Sequence, residues 1–139
     1  MSLRATFAAR RLDIGLLVLR VGASGMMAVH GLEKAKTFSE TAAWFAEVRP
    51  LGLPGAAAAG LAIFAELVCS VLVALGWLTR WAALPPLVTM AVAAFQVQMA
   101  GGWFAMESAV LYAVVFAAIA FIGPGAYSLD GRHARQAPR

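Results

Sequence analysis

The sequence predicts an all-α integral membrane protein: a four-helix bundle with a short interfacial amphipathic helix between the first and second spans. Three observations carry this. The chain is 62% hydrophobic and only 13% charged, with a mean hydropathy of +0.79, outside the composition of soluble domains. It holds four apolar runs near the ~20 residues that cross a bilayer as a helix. Nearly all its charges fall at the ends of those runs. At 139 residues the spans leave room for little else, so a single domain over 1–139 is expected, with short loops and no soluble catalytic module.

The net charge of +4 is concentrated at the two chain ends beside apolar segments, which fits membrane orientation and not nucleic acid. Cys69 is the only cysteine, so neither an intramolecular disulfide nor a Cys-x-x-Cys redox pair is possible. With His133 in a charged tail, His30 has no histidine partner for an intramembrane haem.

The first span is drawn over Leu12–Leu32, interrupted by Arg20. Arg4, Arg10 and Arg11 precede it, but the uninterrupted apolar stretch Ile14–Leu19 is shorter than the ~7–15 residues of a signal-peptide core. In the connection Glu33–Pro54, Thr37 and Glu40 have the spacing of a capping box. Thr41, Trp44, Phe45 and Val48 then share one helical face. This segment reads as an interfacial helix ended by Pro50 and the Gly52-Leu53-Pro54 turn, serving as a surface anchor or as a lid over a site between the spans.

The second span, Gly55–Leu78, carries Glu66 near its middle, where a charge costs at least ~2.5–3.5 kcal/mol on insertion scales. The third, Trp81–Gly101, has no charge and places Pro85 and Pro86 near its start, where missing amide hydrogens cost least. The fourth is Trp103–Gly123. An even number of spans puts both termini on one side. There Arg4, Arg10, Arg11, Arg132, Arg135 and Arg139 join Arg80, seven cations against Lys34, Lys36 and Arg49 opposite. The positive-inside rule makes the terminal side cytoplasmic.

Two polar groups inside the spans are candidate site elements. Arg20 and Glu66 are expected at depths about 6 Å apart, counted at 1.5 Å per residue, so an ion pair between them is expected. It either locks two helices together or forms the base of a ligand or proton site. Cys69 and Ser70 continue the polar arc of the second span. Near the outer surface, His30, Gln98 and Glu107 are expected at similar depth; a histidine beside a carboxylate is suited to proton exchange, and the bland reading is interfacial hydrogen bonding. Trp103, Phe104, Trp44 and Phe45 at this level form an aromatic belt or a ligand cage, with Trp103 kept as a ligand contact. Gln96 lies nearly opposite Gln98 on its helix. Lys34 is expected to be solvated or to snorkel. No phosphate loop, zinc spacing or nucleophile elbow is present.

His30-Gly31-Leu32-Glu33-Lys34, Gly52-Leu53-Pro54, Glu66, Gly76-Trp77-Leu78-Thr79-Arg80, Gly102-Trp103-Phe104 with Glu107, and Gly123-Pro124-Gly125-x-Tyr127-Ser128-Leu129-Asp130 occur in this order. Together they resemble the DoxX family over residues about 12 to 131. The resemblance implies a four-helix protein of the bacterial inner membrane. Relatives include the membrane subunit of thiosulfate:quinone oxidoreductase and proteins tied to oxidative-stress or thiol-redox complexes. Gln98 stands where this family often has a histidine, and a glutamine cannot shuttle a proton near pH 7.

The expectation is an accessory subunit that binds a quinone or lipid-like ligand, with Arg20 and Glu66 at the base of a cavity and His30, Gln98, Glu107 and Trp103 around the ligand head. It would be a homo-oligomer in the lipid bilayer serving a redox partner protein, since the chain offers no means of holding an electron-transfer cofactor alone. The rival readings are a structural or assembly protein without a ligand site, and a small oligomeric proton-coupled transporter.

Overall fold

The computed structural model describes residues 3–136, with side chains from Ala9 onward. Arg139 and the side chain of Arg4, two of the seven cations counted on the terminal side, lie outside the described part. Among the described residues every regular element is helical. Helix α1 covers Leu3–Lys36 and α2 Phe38–Val48. After a 3₁₀ turn at Pro50–Gly52 come α3 (Gly55–Leu75), α4 (Thr79–Gly101) and α5 (Trp103–Ile122), and a short α6 (Leu129–Gln136) ends the fold. The part of α1 from Ala9, together with α3, α4 and α5, is long and apolar enough to cross a membrane.

The breaks between spans follow local chemistry. Gly76 adopts a left-handed conformation (φ 75°) after α3, and the Trp77 amide reaches back to the Leu72 carbonyl at 3.0 Å, closing the last turn as a Schellman motif. A Cβ at Gly55 would strike the Ala42 carbonyl and the Ala46 amide, so only glycine lets α2 lie against the start of α3. The expected capping box does not form: the Thr37 hydroxyl donates to the Glu33 carbonyl at 3.0 Å instead. With Thr37 alone between α1 and α2, the preceding helical turn already offers a closer acceptor than the α2 amides.

Consecutive spans run antiparallel. α1 packs along α3 and α4 along α5, and the middle of α3 meets α4. Met27, Val73, Met90, Ala94, Phe116 and Ile119 form the buried centre of all four spans. A smaller cluster of Phe45, Ala58, Ala59 and Ala62 sits under α2. The outer surface is apolar, with Phe104 90% and Phe121 87% exposed, as expected where lipid is the solvent.

Both α3 and α4 contain a turn of π-helix, at Phe64–Cys69 and Ala93–Gln98. A π turn inserts an extra residue and swings the following side chains around the axis. In α3 the Ser70 hydroxyl donates to the Ala65 carbonyl at 3.5 Å, helping to satisfy the widened turn.

The expected Arg20–Glu66 ion pair is absent, because α1 sits along the bundle in a different register. Arg20 lies at the terminal end, beside Gly76, and donates to the carbonyls of Pro124 and of Tyr127, the latter at 2.7 Å. Glu66 lies beside Gly31. Ten residues of α3 separate these levels, about 15 Å at 1.5 Å per residue, beyond an arginine's reach. Arg20 therefore stands at the terminal end of the bundle and not at the level of Glu66, although the apolar part of α1, Ala9–Lys36, includes the expected Leu12–Leu32.

Candidate functional site

Glu66 is fully buried in the π turn of α3, and Lys34 of α1 donates to its Oε1. Gly31 makes this possible. A Cβ there would come within 2.5 Å of the Leu67 amide nitrogen, so glycine allows α1 to lie directly on the backbone of the π turn, with Lys34 one helical turn further on. Lys34 is thus neither fully solvated nor snorkelling to headgroups: its side chain remains 31% exposed, and its ammonium turns inward to the carboxylate. The second carboxylate oxygen, Oε2, is buried without a hydrogen-bond partner.

Beside this pair lies a cavity of about 610 Å³ between α3, α4 and the α2–α3 connection. Leu61, Phe64 and Val88 line it and are themselves exposed, so it opens sideways between α3 and α4. Trp44, Phe45, Leu51 and Leu53 cover its distal end. Its wall is apolar apart from Lys34, Glu66, Thr89 and Gln98. Gln98 Oε1 is the second buried acceptor there without a partner. An orphaned buried acceptor typically costs ~1–3 kcal/mol, and Glu66 and Gln98, which carry two of them, are among the few polar residues lining an otherwise apolar slot.

Gln96, which the ideal helical wheel turned away from Gln98, also contributes. Its Oε1 accepts from the Leu51 amide at 2.8 Å and so ties the cover of the cavity to α4. Leu51 is held at φ 55° within the 3₁₀ turn, a left-handed conformation that a leucine adopts only at a cost of ~1–2 kcal/mol.

The outer cluster expected around His30 is divided. His30 packs edge-on against Tyr112 of α5, ring centroids 6.2 Å apart. Glu107 and Trp103 are exposed, and none of these three lines the cavity. His30 and Glu107 form no ion pair among the described residues. Register again supplies the reason: the stretch of α1 that meets α3 at the cavity is Gly31–Lys34, while His30 turns toward α5. Of the expected ligand contacts the structure brings together Glu66 and Gln98. It adds Lys34, whose charge at the end of a span predicts a solvated or snorkelling side chain although its i+3 spacing from Gly31 marks one helix face.

Arg20, 1% exposed, belongs to a separate cluster at the terminal end that straps the C-terminal segment to the bundle. Asp13 accepts from the Ala126 amide at 3.0 Å. Asp130 accepts from the amides of Leu78 (3.0 Å) and Thr79 (2.9 Å) and from the Thr79 hydroxyl (2.9 Å), capping the start of α4 from outside that helix. Burial raises the Asp130 pKa, but the Thr79 and Leu78 hydrogen bonds, aided by the charge of His133, outweigh it and leave the carboxyl below its ordinary 3.8.

The family model for DoxX matches residues 15–99, more than half of the chain. The matched stretch includes Arg20, Lys34, Glu66 and the whole cavity wall, while Trp103, Glu107 and the Gly123–Asp130 segment lie beyond it. Comparisons with curated proteins and with solved structures gave no match. The chain belongs to the DoxX family.

Proposed function

We propose that this DoxX-family membrane protein is an accessory subunit that takes one lipid-soluble amphiphile from the bilayer into the cavity between α3 and α4 and serves a redox partner with it. The ligand belongs to the quinone class that the family resemblance implies. The observation that carries the reading is the pairing of a fully buried carboxylate, only half satisfied by Lys34, with a second orphaned acceptor on Gln98 at the wall of one laterally open apolar cavity. Polar groups in a membrane interior mark functional sites, and pockets with apolar walls and a few convergent polar atoms are where ligands bind. The ligand's tail lies against Leu61, Val88 and Leu84, and its head reaches Glu66 and Gln98. On the positive-inside rule the protein resides in the bacterial inner membrane with both termini cytoplasmic, and α2 lies at the outer face.

Native mass spectrometry of the gently solubilised protein tests this. One quinone-class amphiphile is expected per chain, lost in Val97→Trp, which puts a bulky ring on the cavity wall, and retained in His30→Ala with Glu107→Gln, whose side chains lie off it. Absence of any retained quinone, or equal retention in Val97→Trp, would reject the cavity as its site and favour an assembly role without a ligand.

A further inference from the structure

We propose that the terminal end of the bundle carries a second site, separate from the cavity between α3 and α4, which holds the headgroup of one anionic phospholipid against Arg132 and Arg135. The place is a pocket of about 500 Å³ where Leu75, the last residue of α3, meets the segment Ala126–Leu129 and α6. That volume lies within the ~300–1,000 Å³ of ligand pockets. Arg132 and Arg135 are three residues apart on α6, neighbours on one helix face, and both line the pocket. Neither is neutralised, since the ion pairs among the described residues are Lys34–Glu66 and Lys36–Glu33. The carboxylates of this end are engaged elsewhere: Asp13 accepts from the Ala126 amide and Asp130 from Leu78 and Thr79. Neither lines the pocket.

The donors offered to an anion are the guanidinium groups and not the start of α6. The Asp130 amide already donates to the Gly76 carbonyl at 2.9 Å and the Gly131 amide to the Ser128 hydroxyl at 2.9 Å. Arg135 is held over the turn by its Nε, which donates to the Gly131 carbonyl at 3.1 Å, and by its Nη2, which donates to the Ala126 carbonyl. Its Nη1 and the exposed Arg132 side chain remain for a ligand, and a planar guanidinium matches the oxygens of a phosphate.

The surroundings make that phosphate part of a lipid. Leu75 is exposed, and Val71, four residues before it on the same face of α3, is exposed as well. The floor of the pocket therefore runs into a lipid-facing ridge suited to an acyl chain. Trp77, Trp81 and Tyr127, all exposed at this end, mark the headgroup level where aromatic rings gather, and basic pockets at the ends of spans recognise anionic headgroups. No acidic side chain among the described lining residues is present to receive an ethanolamine ammonium. A headgroup of net negative charge, as in phosphatidylglycerol, is thus preferred to a zwitterionic one.

Native mass spectrometry of the full-length, delipidated protein with added palmitoyl-oleoyl phosphatidylglycerol or the matching phosphatidylethanolamine tests this. One phosphatidylglycerol per chain is expected, retained at least about tenfold more strongly than phosphatidylethanolamine. Arg132→Gln alone should lower that ratio about fivefold, and Arg132→Gln with Arg135→Gln should bring it to about one. Arg10→Gln with Arg11→Gln, exposed cations of the same end that do not line the pocket, should leave it unchanged, as should Val97→Trp on the wall of the other cavity. A wild-type ratio near one, or a ratio that survives Arg132→Gln, would overturn the proposal. An equal fall in the Arg10 and Arg11 variant would replace the site by a diffuse basic surface, and a fall in Val97→Trp would move the lipid to the other cavity. Displacement by excess inorganic phosphate would make the occupant a free anion and overturn the lipid assignment. Arg132→Gln decides even if Arg135→Gln loosens the turn that Arg135 holds.

Discussion

Removing Lys34 should damage the fold more than neutralising the carboxylate it serves. Glu66 is 0% exposed, whereas the Lys34 side chain keeps 31% of its surface. The two partners therefore have unequal alternatives when parted. In Lys34→Met the carboxylate stays buried with both oxygens unpaired; breaking a buried pair in this way typically costs ~3–5 kcal/mol, and the exposure of Lys34 puts the expectation at the lower end, about 3 kcal/mol. In Glu66→Gln no charge is left in the interior and Lys34 can turn outward to water, so the loss should be about 1–2 kcal/mol, the scale of a charge-assisted hydrogen bond. The double variant should cost less than the sum by about 1–2 kcal/mol, well above the ~0.3–0.5 kcal/mol scatter of independent sites. Reversible unfolding in mixed micelles of dodecylmaltoside and sodium dodecyl sulfate measures all three. Additive losses, or a smaller loss for Lys34→Met than for Glu66→Gln, would refute the ion pair as the support of Glu66.

The same assay separates the terminal end. Arg20→Met leaves the carbonyls of Pro124 and Tyr127 without their donor and should cost about 2–3 kcal/mol, and its effect should add to that of Glu66→Gln because the two side chains share no partner. Coupling between them above about 0.5 kcal/mol would restore the direct pair. For Asp130 the folded pKa lies below the ordinary 3.8, so the carboxylate contributes stability above that pH and loses it as pH falls through the lower folded value. Wild type should lose stability relative to Asp130→Asn on acidification below about pH 4, and parallel pH profiles would show that folding leaves the Asp130 pKa unchanged. Gln96→Leu removes the acceptor of the Leu51 amide and should raise hydrogen exchange at the amides of Leu51 and Gly52 with little change elsewhere, whereas unchanged exchange would mean that packing alone holds the cavity cover.

The fold was legible because a bilayer leaves little choice: apolar runs of the right length must be helices, and the residues that end them here are glycines, prolines and charges at predictable places. The amphipathic pattern over Thr41–Val48 likewise identified α2. The site was less legible because depth along a helix was counted from assumed span ends. Arg20, an interior charge by hydropathy, sits at the terminal end because α1 lies along α3 in a different register, and that single shift puts Lys34 instead of Arg20 against Glu66. The signal for the true register was Gly31, a small residue one turn from a lysine, but many glycines and alanines in the spans are equally small. Nor does composition show the two π turns. An ideal wheel places Gln96 and Gln98 on opposite sides, whereas the widened turn lets one hold the cavity cover and the other line the wall.

Separation of the two polar clusters also changes what the family-resemblance motifs signify. The Gly123–Asp130 segment, together with Gly76 and Thr79, forms the strap at the terminal end: Arg20 and Asp130 bind it, and a Cβ at Gly76 would strike the Ser128 side chain. None of these residues lines the cavity. The motif His30-Gly31-Leu32-Glu33-Lys34, by contrast, places Gly31 and Lys34 against Glu66. One set of motif residues closes the bundle and the other builds the carboxylate site, with α1 as the rod common to both. A variant such as Thr79→Val, which weakens the strap, should therefore lower stability and leave retention of the cavity ligand unchanged in the protein that remains folded. A Lys34 variant should alter stability and ligand retention together, because Lys34 both pairs with Glu66 and lines the cavity.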